Sequence, residues 1–393
     1  MTATAALIKP TDAKKGRSQL KITAAVLRQT GAALPYASSQ PLTLETLDLA
    51  PPGRGEVLVR IAAAGLCHSD LSVINGDRLR PLPMALGHEA AGIVEALGEG
   101  VTSLGLGDHV VMVFMPSCGH CLYCGEGRPA LCEPGAAANG AGSLLNGGIR
   151  LSDAAGPIHH HLGCSAFATH AVVSERSLVR VDQDLPLDEA ALFGCAVLTG
   201  VGAAVNTAAI RPGHNVAVIG LGGVGLAALM GAKAAGAARL VAVDLSPEKL
   251  ALAAELGATD CFDARDSDAL AAFTKTTGGL DVALEMAGAI PALELAFNLT
   301  RRGGTTVTAG LPPPTASLPL SIVRLVAEER TLKGSYIGGC VPRRDVPRFI
   351  ALYRAGRLPV DRLISGEPLR PDELNHGFDR LAAGTAVRQI VRF

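Results

Sequence analysis

The chain has 393 residues, of which 48% are hydrophobic, 18% charged and 3% aromatic, with a net charge of −1 and no Trp. These figures describe a globular chain of two to three domains and give neither the basic charge nor the stacking platforms that nucleic-acid binding needs. No apolar run reaches the roughly 18 residues of a membrane helix, and the N-terminus lacks a signal peptide's apolar core and cleavage site; the expectation is a cytoplasmic protein without a membrane partner, whose nine cysteines are metal ligands or buried thiols rather than disulfides.

Residues 1–20 are aperiodic and rich in Ala, Thr and Lys. They read as a flexible N-terminal extension, with a transit peptide as the alternative because basic residues exceed acidic ones there. From about Ile22 to Gly163 the chain is dense in Gly and Pro. EVLVRIAAAG at 56–65, AAGIVEALGEG at 90–100 and DHVVMVF at 108–114 read as strands of a β-rich unit. GLCHSD supplies Cys67 and Asp70 and GHEAAG supplies His88 and Glu89, all within this unit.

Next comes PSCGHCLYCGEGRPALCEPG, in which Cys118, Cys121, Cys124 and Cys132 follow a C-x2-C-x2-C-x7-C spacing. Four thiolates so close in sequence can converge on one tetrahedral Zn²⁺. Such a closed site adds folding energy to a loop-rich lobe and has no open position for chemistry. Two disulfides or four free thiols are the alternatives. The run His159, His160, His161 cannot turn three adjacent side chains to one ion, so it reads as local structure with at most one ring at a pocket.

Cys195 in FGCAVLTG completes a second constellation with Cys67 and His88. Two S ligands and one N ligand leave a fourth position open, as a catalytic zinc requires. Singly, each is equally well a small buried hydrophobe or a core histidine. Asp70 and Glu89 favour ligation, because a metal-bound His usually donates its other N–H to a carboxylate. Cys164, Cys261 and Cys340 read as core or surface thiols.

Beyond Cys195 the texture becomes βαβ. VAVIG at 216–220 reads as a strand, VGLAALMGAKAAG at 224–236 as a helix and LVAVD at 240–244 as a strand. SPEKLALAAELGA at 246–258 follows as a helix capped by Ser246, and DVALEMAG at 281–288 and TTVTAG at 305–310 continue the strands. The pattern predicts an α/β fold with a doubly wound parallel sheet of the Rossmann kind beside the β-rich unit. Gly220, Gly222 and Gly225 fill G-x-G-x-x-G between strand and helix, with Gly223 and Val224 opening the helix. The turn suits a pyrophosphate at a helix N-terminus. Asp244, ending the next strand with no Arg after it, suits ribose hydroxyls and disfavours a 2′-phosphate, so the expected cofactor is NAD. A glycine turn with a helix-capping Asp is the alternative.

Taken together, GLCHSD, GHEAAGIVEALGEGV, the four-cysteine lobe, PIHHHLG, VLTGVGAAVNTA, GLGGVGLAALMGAKAAGA, DELNHGFDRLAAG and the VRQIVRF end resemble the zinc-dependent medium-chain alcohol dehydrogenases over residues 22–393. The nearest branch is that of liver-type alcohol dehydrogenases and glutathione-dependent formaldehyde dehydrogenase. The resemblance implies a GroES-like catalytic domain at 21–196 and 337–393, with a structural zinc lobe at 116–134, and an NAD-binding Rossmann domain at 197–336. It implies two Zn²⁺ per chain, an alcohol or aldehyde substrate and a homodimer.

The same resemblance places catalytic zinc on Cys67, His88 and Cys195, with Glu89 behind the metal and Asp70 behind His88. Ser69 matches the hydroxyl that bonds the substrate oxygen. His68 and Arg388 match pyrophosphate positions, Lys249 one near the adenosine ribose and Thr199 one near the nicotinamide. Phe114, His161, Leu162, Leu311 and Tyr336 match substrate-pocket positions. Two departures stand out. Ser72 holds a place where many members have a proton-relaying histidine, and the arginine that holds a glutathione adduct is replaced around Ala136. Arg78, on a nearby loop, is either a substitute anion site or a solvated charge. The expected activity is therefore reversible alcohol oxidation. The alternatives are a glutathione-dependent formaldehyde dehydrogenase and a non-catalytic NAD-binding relative.

Overall fold

The computed structural model describes residues 19–393. The extension read at 1–20 lies almost wholly outside the described residues, and Leu20 already opens the first strand, Leu20–Leu27. Three sheets build the molecule. A small closed barrel joins Leu20–Leu27, Leu42–Leu49, Leu151–Asp153, Gly156–His160 and Met84–Ala85. A mostly antiparallel sheet runs Leu178–Val181, His109–Met112, Glu89–Leu97, Glu56–Gly65 and Ile390–Val391, with His170–Ser174 also on Glu56–Gly65.

The third sheet is parallel throughout. Its spatial order is Asp260–Asp263, Arg239–Asp244, Asn215–Ile219, Leu280–Glu285, Thr300–Thr308, Thr331–Gly334. In chain order this is third, second, first, fourth, fifth, sixth, the Rossmann arrangement. Its topological switch point, where ligands bind at the carboxyl ends of the strands, lies between Asn215–Ile219 and Leu280–Glu285. Val216, Ala217, Val218 and Ile219 are all buried, as a central strand covered on both faces must be.

Local chemistry explains the elements around this switch point. Ser246 accepts a hydrogen bond from the Lys249 backbone N–H at 3.3 Å and caps helix Pro247–Leu256. Gly220 sits at φ +88°, a left-handed conformation that side chains disfavour. A Cβ on Gly225 would lie 1.8 Å from the Gly220 carbonyl oxygen, so helix Gly223–Ala234 can spring so closely from the strand only with glycine there.

Contacts between distant segments hold the site together. Ile390 and Val391 pair with Gly65 and Ala64, and the Asp379 carboxylate accepts the backbone N–H groups of Tyr36 and Ala37 at 2.6 and 2.9 Å. One apolar cluster runs from Val111 and Phe193 through Val197 and Leu198 to Val216 and Leu226. Helix Ala196–Gly202 packs backbone to backbone on Gly223–Ala234, since a Cβ on Gly200 would lie 2.2 Å from the Val224 carbonyl oxygen. That contact sets Cys195, at the head of the first helix, beside the glycine turn. No helix among the described residues is long and apolar enough to cross a membrane.

Candidate active site

Three elements deliver the metal-ligating side chains. Cys67 caps helix His68–Ile74, Cys195 caps Ala196–Gly202, and His88 immediately precedes strand Glu89–Leu97. The two Sγ atoms are 4.0 Å apart and Cys195 Sγ is 3.6 Å from His88 Nε2. Around a tetrahedral zinc with bonds of about 2.3 Å to S and about 2.0–2.1 Å to N, ligands stand about 3.8 Å (S to S) and about 3.6 Å (S to N) apart. The donor set fits the ion and leaves one position free. All three residues are buried.

The electrostatics of this trio depend on burial and shared protons. The Cys67 and Cys195 thiols share one hydrogen bond, which lowers the pKa of Cys67 and raises that of Cys195. Burial acts to neutralise His88, but the charges of Asp70 and Cys67 outweigh it and raise its pKa. Asp70 is itself fully buried, yet its pKa falls to about 2 because His88 and His161 overcome the desolvation. His88 Nδ1 lies 3.1 Å from one Asp70 oxygen, and His161 Nδ1 lies 3.0 Å from the other. Gly87 N–H donates a hydrogen bond to Asp70 Oδ1 at 3.0 Å, whereas the two imidazole contacts are close ion-pair contacts without hydrogen-bond angles. Desolvation pushes the Glu89 carboxyl up to about 7, and neither of its oxygens is hydrogen-bonded among the described residues.

Of the three consecutive histidines only His161 reaches this site. His160 Nε2 accepts from the Arg150 backbone N–H at 3.0 Å, and burial drives its pKa down to about 3. His159 lies against Gly142. Ser69 is half-buried on the Cys67 helix. Ser72, at the usual relay position, donates its hydroxyl to the His68 carbonyl at 2.8 Å.

The glycine turn adjoins the trio through Arg388. Its Nη1 donates to the Leu66 carbonyl at 2.8 Å and lies 3.5 Å from Glu89, while its Nε would lie 2.8 Å from a Cβ on Gly223. A Cβ on Gly222 would meet nothing, so the turn is open to a ligand on that side. His68 is exposed, and partial desolvation with nearby Arg388 and Lys249 holds its pKa below the ordinary value. Asp244 accepts the Leu221 N–H at 2.6 Å and the Ser246 N–H at 3.0 Å, tying the turn to the second strand. Beside it a cavity of about 1050 Å³ runs from Gly220, Val243 and Asp244 under Leu270 and Ala292 to Thr300 and Arg301. Only its Gly220–Asp244 end adjoins the turn. Thr199 is buried one turn beyond Cys195.

Phe114 and Leu162 share the buried cluster of Cys67 and Cys195. Phe114 meets His88 edge-on at 5.5 Å and Tyr336 at 6.0 Å, and His161 meets His88 at 5.4 Å. Leu162 holds φ +51°, rare for a branched side chain and found where surrounding structure enforces it. Leu311, by contrast, is 52% exposed and rests its backbone on Gly288. Arg78 is half-buried rather than solvated. Its companion Arg80, also half-buried with its Nε enclosed and unpartnered, escaped the sequence reading. The alternation Arg-x-Arg was the available signal.

In the four-cysteine lobe all sulfur atoms lie within 4.8 Å of one another and all nine cysteines of the chain are free thiols. Backbone N–H groups of Cys118 and Gly135 point at Cys132 Sγ (3.2 and 3.4 Å) and that of Cys121 at Cys118 Sγ (3.3 Å). Such donors stabilise thiolates, and the set suits a closed tetrahedral zinc site.

Two domain families match the chain: the alcohol dehydrogenase GroES-like domain over residues 53–183 and the zinc-binding dehydrogenase domain over residues 223–355. Fold and site thus define an oxidoreductase of the zinc type. The chain belongs to the zinc-binding alcohol dehydrogenase family. An alcohol dehydrogenase zinc-binding domain protein from Burkholderia ambifaria is 36% identical with a TM-score of 0.89, covering 96% of this chain and 100% of that one. Benzyl alcohol dehydrogenase from Acinetobacter calcoaceticus is 32% identical with a TM-score of 0.88, covering 95% and 99%. A structure described as a zinc-binding dehydrogenase from Sinorhizobium meliloti 1021, bound to NADP, is 26% identical with a TM-score of 0.77, covering 95% and 100%.

Proposed function

We propose that this protein catalyses the reversible, NAD-dependent oxidation of a primary or secondary alcohol to an aldehyde or ketone. The proposal places a catalytic Zn²⁺ on Cys67, His88 and Cys195 and a structural Zn²⁺ on the four-cysteine lobe. The observation that carries the reading is the convergence of two thiols and an imidazole, 3.6 and 4.0 Å apart, with the imidazole's other nitrogen held on buried Asp70. Zinc there supplies Lewis acidity toward the substrate oxygen, and NAD supplies the hydride acceptor.

The chain's own groups do the rest. Asp70 fixes the His88 tautomer so that Nε2 faces the metal position. Ser69, two residues past Cys67, takes the hydroxyl proton of the substrate. Ser72 is committed to the His68 carbonyl, so Ser69 would hold the proton without a second side-chain relay at that position. Arg388 and the open flank of Gly222 receive the pyrophosphate. The Asp244 carboxylate at the mouth of the cavity repels a 2′-phosphate, which supports NAD over NADP. Phe114, Leu162 and Tyr336 exclude water from the reacting centre. A cytoplasmic homodimer is part of the reading by family resemblance, and sedimentation tests the dimer.

The experiment is to follow NADH formation with purified protein, NAD or NADP, and a panel of benzyl, long-chain and short alcohols, with formaldehyde plus and minus glutathione as a control. Turnover of free alcohols that disappears on chelation and returns with Zn²⁺ is expected. Turnover that survives removal of zinc, or that requires glutathione, overturns the reading.

A further inference from the structure

We infer that the substrate of this site carries a negatively charged end group, a carboxylate or phosphate, received by Arg78 and Arg80. The inference rests on the dehydrogenase reading above and names its substrate class.

The loop between helix His68–Ile74 and strand Met84–Ala85 reverses the usual partition of side chains. Leu79 is 78% exposed, whereas Arg78 and Arg80 on either side of it are half-buried. The loop is pinned in this arrangement by the Arg78 N–H on the Ser72 carbonyl at 2.7 Å. Turning an apolar side chain to water while drawing two guanidiniums inward costs free energy unless something offsets it.

Nothing in the described residues offsets it. Arg28, Arg150, Arg239 and Arg330 each reach a carboxylate at 2.5–2.8 Å. Arg80 instead has its Nε enclosed without a partner, and the charges it senses are those of Arg78 and Tyr336. The neighbouring Asp77 is turned to Asn75, whose amide donates to it at 2.7 Å and accepts its N–H at 2.9 Å. A guanidinium does not shed its proton to escape burial, so the missing counter-charge is an anion from outside the chain.

The two arginines stand near the aromatic group beside the trio: the charges of Arg78 and Arg80 both act on Tyr336, and that of Arg80 on His161. The Tyr336 ring meets Phe114, which meets His88. A substrate whose hydroxyl occupies the fourth metal position therefore passes an apolar stretch at Phe114 and Tyr336 and ends at the guanidiniums, whose forked N–H groups match an oxyanion.

The test compares charged and neutral alcohols of equal length in the zinc-loaded holoenzyme: para-(hydroxymethyl)benzoate and para-(hydroxymethyl)phenyl phosphate against benzyl alcohol, and ω-hydroxyhexanoate against hexanol. At least tenfold higher kcat/KM is expected for a charged member, and the carboxylate and phosphate arms show which oxyanion is preferred. Arg78→Gln/Arg80→Gln should lower that value about 10–100-fold through KM, the scale of lost hydrogen bonds to a charged group. Benzyl alcohol and hexanol should stay within about threefold. Equal losses on charged and neutral alcohols, or a wild-type preference for the neutral ones, overturn the inference. Calorimetric titration with para-methylbenzoate, which cannot be oxidised, separates the two readings. Binding weakened by the double variant upholds the anion site even if no alcohol turns over, and absence of binding overturns it.

Discussion

Asp70→Asn is the sharpest test of how the metal site is held. Asp70 receives His88 Nδ1 at 3.1 Å, His161 Nδ1 at 3.0 Å and the Gly87 N–H at 3.0 Å, all in full burial. Asparagine keeps the size but offers one acceptor oxygen, and its NH2 must then face another N–H. Loss of a carboxylate behind a ligating histidine typically costs about 10–100-fold in metal affinity, or about 1.4–2.7 kcal/mol at 1.36 kcal/mol per decade. Proton linkage points to the same magnitude. The Asp70 pKa is depressed from 3.8 to about 2, so it contributes stability that is present above pH 3.8 and is lost as pH falls toward 2, worth about 2 kcal/mol. Competition with a chromophoric chelator should therefore show about 10–100-fold weaker zinc binding at neutral pH. Denaturation of the metal-free proteins should show a deficit of about 2 kcal/mol that vanishes near pH 2. Zinc affinity within threefold of wild type, with the fold intact by circular dichroism, would refute the reasoning.

Three further outcomes are expected. Asp244→Ala removes the acceptor of the Leu221 and Ser246 N–H groups and the charge at the cavity mouth; KM for NAD should rise and the NAD-to-NADP preference should fall, and an unchanged preference measured by steady-state kinetics contradicts the ribose role. Cys132→Ser should lower the melting temperature by several degrees before it alters kcat of the folded fraction, because the lobe folds around its thiolates; lost turnover at an unchanged melting temperature contradicts a structural role. Glu89 has its pKa raised from 4.5 to about 7 by burial, so it binds protons in the folded state that the unfolded chain has released, and stability falls as pH rises from 4.5 to 7. Glu89→Gln should remove that slope in denaturant titrations of the metal-free protein, and parallel pH profiles for the two proteins would show the carboxyl to be ionised throughout.

What was legible in the sequence follows the range of the interactions. The glycine turn, the Ser246 cap and the four-cysteine lobe are each closed within about twenty residues, and their chemistry is visible as spacing. The parallel sheet was legible because its strands are continuous buried runs with helices between them. The closed barrel was not, since Met84–Ala85 and Leu151–Asp153 are too short to display an alternation. Cys67, His88 and Cys195 stand 21 and 107 residues apart, intervals that match no compact ligand spacing, so spacing alone left each open and the family resemblance carried the grouping. The sharing of Asp70 by His88 and His161 depends on a turn after strand Gly156–His160 that no local pattern announces. Arg78 read as a solvated loop charge before a substitute anion site, because its half-burial beside the exposed Leu79 has no local signature. Leu311 was placed at the pocket by alignment across a stretch of weak pattern, and there the structure puts an exposed side chain.

Arg388 explains why chemistry and cofactor binding belong to one unit in this fold. It lies near the end of the chain, yet it is 4% exposed and its guanidinium touches the backbone just before Cys67, the carboxylate just after His88 and the flank of the glycine turn. A fully buried charge held so far from its own sequence neighbours costs several kcal/mol in desolvation unless it is compensated. Glu89, at 3.5 Å with its pKa raised to about 7 by burial, compensates it only in part. A pyrophosphate on the turn would supply the remaining negative charge. The strand Ile390–Val391, which carries Arg388 into place by pairing with Gly65 and Ala64, ties this segment to the backbone that leads into Cys67.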